Sequence, residues 1–261
     1  MRIRLVLMLA AVMAFAMSLP MSTAGVALME APGASDGSTG TAVQPGTQGP
    51  FVPEPEGGSA AGSTWSGKFS IYRARTHSVQ KTDWYCVPTS IQMMLNLIKG
   101  TSDRSRANQD KYWRYAQDNS RYPIRDNGAD AAGWAAAMRH WGGGSYYVGI
   151  HTTMQASLKA AAKRMRASGK PVGMIVWGRH GGHAWVMTGF KSNADPRVTN
   201  IYTVSSVQAM GPLWPYGTIG GKSFDPGPKE WVEYAELKNK FTENVQHNAP
   251  AWDGRWITVL P

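Results

Sequence analysis

Cysteine is nearly absent from this chain: Cys86 is the only one among 261 residues. A single cysteine excludes an internal disulfide, so the fold must be held by a hydrophobic core rather than by covalent cross-links. A lone thiol is either a buried, inert side chain or a free thiol kept for chemistry. The residues around Cys86 therefore decide how it is interpreted.

Long runs of charge of one sign are also absent. The chain has 27 Lys and Arg against 17 Asp and Glu, a net charge of +10, but the basic residues are scattered and no five are contiguous. Nucleic-acid binding needs a clustered basic patch, so we predict no nucleic-acid partner. We interpret the basic surface as a solvated one, which can also attract anionic cell-wall polymers.

The apolar run at the N-terminus is too short to cross a membrane comfortably. It spans Leu5–Met17, follows Arg2 and Arg4, and leads to small residues that end at Ala24. This pattern predicts a secretory signal peptide over residues 1–24. We therefore expect a secreted, extracellular protein with no stable membrane anchor after cleavage; an uncleaved anchor is the alternative.

The next segment, residues 25–63, is rich in Gly, Pro, Ser, Thr and Ala. Such a composition buries too little to offset the entropy of ordering, so a disordered linker is predicted. Its role, as a pro-segment or as a spacer, stays open. Residues 64–261 are long enough for one domain with a full core.

Within that domain, helical patterns come first and strand patterns later, with short connections between the strands. This order predicts an α+β fold with an antiparallel sheet. The predicted helices are Val87–Gly100, Asn108–Gln117, Ala131–Trp141 and Met154–Ala167, and the predicted strands are Tyr146–Ile150, Pro171–Trp177, Ala184–Phe190, Asn200–Val207 and Trp256–Leu260.

Cys86 stands at the start of the first predicted helix. Pro88 suits the first turn and Gly100 suits the end, and the residues between them are apolar on nearly every side, so the helix is expected in the core. A helix N-terminus stabilises a thiolate through its free amides and its positive dipole end. A nucleophilic thiol also needs an imidazole within hydrogen-bond reach.

His183 is the best candidate for that imidazole, because it opens an apolar strand and the glycines before it leave room for approach. A zinc site made by His180 and His183 would lack further ligands, so we predict no metal and no cofactor. The remaining histidines are interpreted as surface residues; they are His77, His140, His151 and His247.

Two segments resemble motifs of the bacteriocin-processing (double-glycine leader) type of papain-like cysteine peptidase. Residues 85–90 read YCVPTS before an apolar helix, as in the nucleophile motif, and residues 182–190 read GHAWVMTGF, as in the histidine motif. Gln80 matches the upstream glutamine that supplies an oxyanion-hole donor. The resemblance spans His77–Pro212. It implies a papain-like fold, with the nucleophile on a central helix packed against the sheet.

The resemblance also implies an activity. Cys86 and His183 would hydrolyse peptide or amide bonds of a peptide or protein substrate through a thioester intermediate. One departure from the family pattern is Val87, which stands where the family has glycine after the cysteine. We expect this branched side chain to narrow the site.

The second departure concerns the group that orients the histidine. In the family it is an Asp, commonly followed by Pro, at the far end of the strand after the histidine strand. Asp195-Pro196 falls in the turn at the opposite end from His183, and Gly211-Pro212 stands where Asp-Pro is expected. Folding the strands about that turn brings residues near Val207 alongside His183, so the nearest substitutes are Gln208 and then Ser206.

Other functions share these features. A papain-fold binding protein that has lost turnover would explain the missing Asp, with some of the 11 tryptophans as a binding platform. A cell-wall peptide amidase would explain export and basic charge, but the Asp-Cys-Ser-Gly motif of such hydrolases is absent. Acyl transfer would use the same two residues as hydrolysis.

Overall fold

The computed structural model of the protein describes residues 65–122, 127–178, 181–216, 218–219, 222–243 and 249–261. The predicted signal peptide (1–24) and the predicted linker (25–63) lie outside these residues, as do His180 and His247.

The four predicted helices form, with ends within two residues of the predicted ones. Gly100 and Gly169 end the first and last of them in the left-handed conformation that glycine adopts without strain. Ser105, Asp130 and Thr153 each accept a hydrogen bond from an amide of the helix they precede. The helices are α1 (Cys86–Lys99), α2 (Arg106–Asp118), α3 (Ala131–His140), α4 (Met154–Ser168) and the short α5 (Tyr234–Leu237).

The strands form an antiparallel sheet in the order β2-β9-β3-β4-β5-β8, with β1 paired to the far end of β4, while β6 and β7 pair separately. The predicted α+β class is thereby confirmed. The strands are β1 (Lys68–Ser70), β2 (Tyr147–His151), β3 (Val172–Gly178), β4 (Gly181–Ser192), β5 (Val204–Met210), β6 (Thr218–Ile219), β7 (Lys222–Ser223), β8 (Glu230–Glu233) and β9 (Trp256–Leu260).

The register between β4 and β5 differs from the predicted one. Val207 lies opposite Phe190, and Met210 lies opposite Val186. The prediction that residues near Val207 lie alongside His183 is therefore wrong. The reason is that β4 continues to Ser192 before the chain turns, so β5 begins later than expected, and two irregularities shift the pairing further.

In the described residues, the core consists of two hydrophobic clusters. One includes residues of α1, α2 and α3, and the other includes residues of α4 and β5. Ile91 of α1 and Trp134 of α3 are fully buried in the first, and each such side chain contributes roughly 1.5–3 kcal/mol. Gly173 of β3 lets α3 approach closely, since a Cβ there would lie 2.7 Å from the Trp134 ring.

Among the described residues, none of the helices has both the length and the apolar character needed to cross a membrane.

Candidate active site

Cys86 is the first residue of α1, and its side chain is half-buried. The first turn contains no acidic residue, so no carboxylate competes for the free amides of the helix. Its thiol is thus placed where the helix dipole favours an anion. The helix lies against β4, and the Ser90 hydroxyl donates to the Ala184 carbonyl at 3.4 Å.

His183 lies on β4 next to that contact, and its imidazole interacts electrostatically with the Cys86 thiol. The structure therefore brings together the two residues singled out from the sequence. Only 11% of the His183 side chain is exposed. The ring is held by a regular strand pair, because His183 lies opposite Val176 of β3.

Asp225 lies behind the imidazole. His183 Nε2 lies 2.9 Å from one carboxylate oxygen and 3.0 Å from the other. Trp185 Nε1 donates to Oδ1 at 2.7 Å, and the Leu213 amide donates to Oδ2 at 2.5 Å. The carboxylate is buried, and these three donors compensate for its lost hydration.

The protonation of His183 follows from these contacts. Burial alone would lower its pKa, but the interactions with Asp225 and Cys86 outweigh burial and raise the pKa to about 10. The imidazolium form is therefore favoured at neutral pH. An imidazolium beside a thiol at a helix N-terminus is the arrangement that holds a cysteine as thiolate.

The sequence of this chain matches a known family over the same region. The model of the Peptidase_C39 like family matches residues 72–207, which is more than half of the chain. The chain belongs to the Peptidase_C39 like family. Comparison with curated proteins and with solved structures gave no match. The matched region contains Gln80, Cys86 and His183 and ends before Asp225.

In this Peptidase_C39 like chain, the orienting carboxylate comes from a later segment than the sequence analysis considered. Asp225 is 42 residues from His183, and the chain forms β5, β6 and β7 before reaching it. Its side chain fills the space beside Gly211, where a Cβ would lie 2.2 Å from the Asp225 Cγ. The Gly211 amide also donates to the Pro226 carbonyl at 3.0 Å.

The signal for Asp225 was present in the sequence, because Asp225 is followed by Pro226. Gly211 stands where the family pattern has its Asp, and the carboxylate of Asp225 occupies the space next to it. Asp195, which also precedes a proline, pairs instead with Arg166 and Arg197.

Gln208, the predicted orienting residue, does not orient His183. It lies opposite Gly189, and its Oε1 accepts from the Ser70 hydroxyl at 2.5 Å. Its Nε2 donates to the Lys229 carbonyl at 3.2 Å. The shift in register explains the error, since it moves Gln208 six residues along β4 from His183. Ser206, the second substitute, lies still further along, opposite Lys191.

Gln80, the predicted oxyanion donor, is buried in the segment before α1. Its backbone amide donates to the Pro212 carbonyl at 2.8 Å. Its side-chain Nε2 donates to the Thr82 carbonyl at 2.7 Å. A primary amide has two N–H groups, so one donor remains for a substrate oxygen.

Val87 and His77 differ from their predicted surroundings. Val87 is almost fully buried within the first hydrophobic cluster, so its branched side chain packs in the core. His77 is half-buried: its Nε2 donates to the Gly211 carbonyl at 3.0 Å, and its ring meets the edge of Trp214. Burial lowers the pKa of His77, which favours its neutral form. His77 thus holds the segment Gly211–Trp214, which lies beside Asp225, in place.

Proposed function

We propose that this protein is a secreted papain-like cysteine peptidase that hydrolyses peptide or amide bonds. The observation that carries the proposal is that His183 is hydrogen-bonded to the buried Asp225 carboxylate and interacts with the Cys86 thiol. Membership of the Peptidase_C39 like family supports the same class of chemistry. Export is supported by the N-terminal sequence pattern alone.

In the first half of the reaction, the Cys86 thiolate adds to the substrate carbonyl carbon and forms a C–S bond. The carbonyl oxygen becomes an oxyanion, which the free N–H of Gln80 and the backbone amide of Cys86 would face. Losing one such donor typically costs about 2.7–4 kcal/mol of transition-state stabilisation. The oxyanion then collapses, the C–N bond breaks, and the His183 imidazolium protonates the leaving amine.

In the second half, neutral His183 takes a proton from water, whose oxygen attacks the thioester. The C–S bond breaks, the carboxylic acid leaves, and His183 is again an imidazolium beside the thiolate. Asp225 keeps Nε2 hydrogen-bonded throughout, so the opposite ring nitrogen faces the sulfur. This is the orienting role that a third group has in such triads.

The orienting carboxylate weakens the hypothesis of a binding protein without turnover. That hypothesis was based on a missing Asp and on Val87, and the structure supplies Asp225 and buries Val87 in the core.

Alkylation of the native protein by iodoacetamide tests the proposal. We expect rapid modification of Cys86 at neutral pH and a rate at least about tenfold lower in His183→Ala, because the imidazolium no longer holds the thiolate. Intact-mass spectrometry measures both rates, and Cys86→Ser is the control for the labelled site. Equal rates in the native protein and in His183→Ala would contradict the proposed pair.

A further inference from the structure

The peptide groups on both sides of Gln80 are held by one side chain from α2. Gln109 Oε1 accepts from the Lys81 amide at 3.0 Å, and Gln109 Nε2 donates to the Val79 carbonyl at 3.0 Å. Only 1% of Gln109 is exposed. Its amide is thus hydrogen-bonded to the main chain immediately before and immediately after Gln80.

Gln109 is itself fixed by a second buried amide. Its other N–H donates to Gln92 Oε1 at 3.0 Å. Gln92, which lies on α1, donates to Asp103 Oδ2 and to the Ser105 carbonyl, each at 3.1 Å. Both donors of Gln109 are therefore used, and its orientation is set by the helix that also begins at Cys86.

The segment that Gln109 holds is otherwise close to solvent. Val79 is an exposed hydrophobic residue, and Lys81 is partly exposed and bonded to Asp110 at the surface. Within the described part of the chain, the backbone of Gln80 itself is hydrogen-bonded only to the Pro212 carbonyl. Without Gln109, the two flanking peptide groups would lose their buried partners, and Gln80 could rotate about its backbone.

We propose that Gln109 is a positioning residue, which fixes the backbone of Gln80 so that the Gln80 amide points at the oxyanion. This inference rests on the proposed function, because it assigns Gln109 a part in that reaction. Displacing a reacting or stabilising group by 1 Å can lower a rate by about 10²-fold, so the restraint matters for catalysis as well as for folding.

Two reagents separate the positioning role from a purely structural one. Iodoacetamide alkylates the thiolate directly: the C–S bond forms, iodide leaves, and no oxyanion arises. p-Nitrophenyl acetate acylates it through a tetrahedral oxyanion, which then expels p-nitrophenolate and leaves a thioester on Cys86. Only the second reaction needs the donor of Gln80.

In Gln109→Met, which keeps the length of the side chain and loses its hydrogen bonds, we expect acylation of Cys86 to fall about tenfold or more, with alkylation within about twofold of the native rate. In a Gln80→Ala background, adding Gln109→Met should change acylation by less than about twofold, because the donor it positions is already gone.

The matched control is Gln208→Met, the same change at a buried amide bonded to Ser70 and Lys229; both rates should stay native. Thermal unfolding establishes that each variant is folded. If Gln109→Met does not fold, Gln109→Asn, which keeps an amide but is too short to hold both peptide groups, takes its place in the same comparison.

Three outcomes would overturn the inference alone: native acylation in the folded Gln109 variant, an equal fall in both rates, or multiplicative effects of Gln80→Ala and Gln109→Met. Failure of the native protein to acylate Cys86 at all would overturn the proposed function, and this inference with it.

Discussion

Replacing Asp225 with Asn tests the site most directly, because the change keeps the shape of the side chain and removes its charge. Both oxygens of Asp225 accept a second bond besides the one from His183: Oδ1 from Trp185 and Oδ2 from Leu213. An Asn side chain has one oxygen and one NH₂. In either orientation the NH₂ faces the Trp185 indole N–H or the Leu213 amide. Both of these groups are donors, so the one that faces the NH₂ loses its hydrogen-bond acceptor.

The magnitude follows from these contacts. One unsatisfied buried polar group costs about 1–3 kcal/mol, so the free energy of unfolding should fall by about that amount. Loss of the carboxylate also removes the largest contribution that raises the pKa of His183, and burial then lowers that pKa. In Ser-His-Asp hydrolases the equivalent change lowers kcat by about 10⁴. We expect acylation of Cys86 to fall by about 10²–10⁴.

The pH dependence of alkylation by iodoacetamide is the decisive assay. In the native protein the imidazolium is lost only as the pH rises through about 10, the raised pKa of His183. In Asp225→Asn the imidazolium is lost at lower pH and no longer stabilises the thiolate near neutrality, so the rise of the alkylation rate with pH should move to higher pH. Asp195→Asn is the control, since Asp195 is also buried but pairs with Arg166 and Arg197. An unmoved rise with native acylation in Asp225→Asn would refute the assignment.

Two further predictions concern the surroundings of Asp225. Gly211→Ala should lower acylation by at least about tenfold and the free energy of unfolding by about 1–3 kcal/mol, since the added Cβ would lie 2.2 Å from the Asp225 Cγ. Acylation rates and thermal unfolding test this prediction. Native values of both would show that the backbone at Gly211 shifts enough to accommodate the Cβ. The native protein should lose stability as pH rises, because the pKa of His183 is about 10 in the fold against an ordinary value of 6.5: the contribution is complete below 6.5 and is lost as pH passes through about 10. Urea unfolding across that range measures the loss, which His183→Gln should remove; an unchanged dependence in that variant would assign the loss to other groups.

Much of the fold could be predicted because its signals are local. The helix of Cys86, marked by Pro88 and Gly100, lies within one residue of its predicted bounds. The histidine strand forms where it is predicted but begins three residues earlier, at Gly181, and ends two residues later, at Ser192. The short strands β1 and β8 were missed, since three or four residues carry too little periodicity to identify a strand.

The third member of the site was missed for a different reason. Predicting it required the register between β4 and β5, and the length of the connection after Ser192 shifts that register by several residues. Because side chains alternate faces along a strand, even one residue of error changes which group meets the imidazole. The sequence does contain an Asp-Pro pair at 225–226, but it comes after β5, the strand at whose end the family pattern places it.

Sequence alone determined that this chain has one thiol, that the thiol begins a core helix, and that His183 is its best partner, because each conclusion depends on neighbours within a few residues. Tertiary structure alone decided that Asp225 orients His183, that Gln208 does not, and that Gln109 grips both sides of Gln80. Those contacts join residues that are tens of positions apart, and only the packing of the sheet, the helices and the loop beside Gly211 brings them within hydrogen-bond distance.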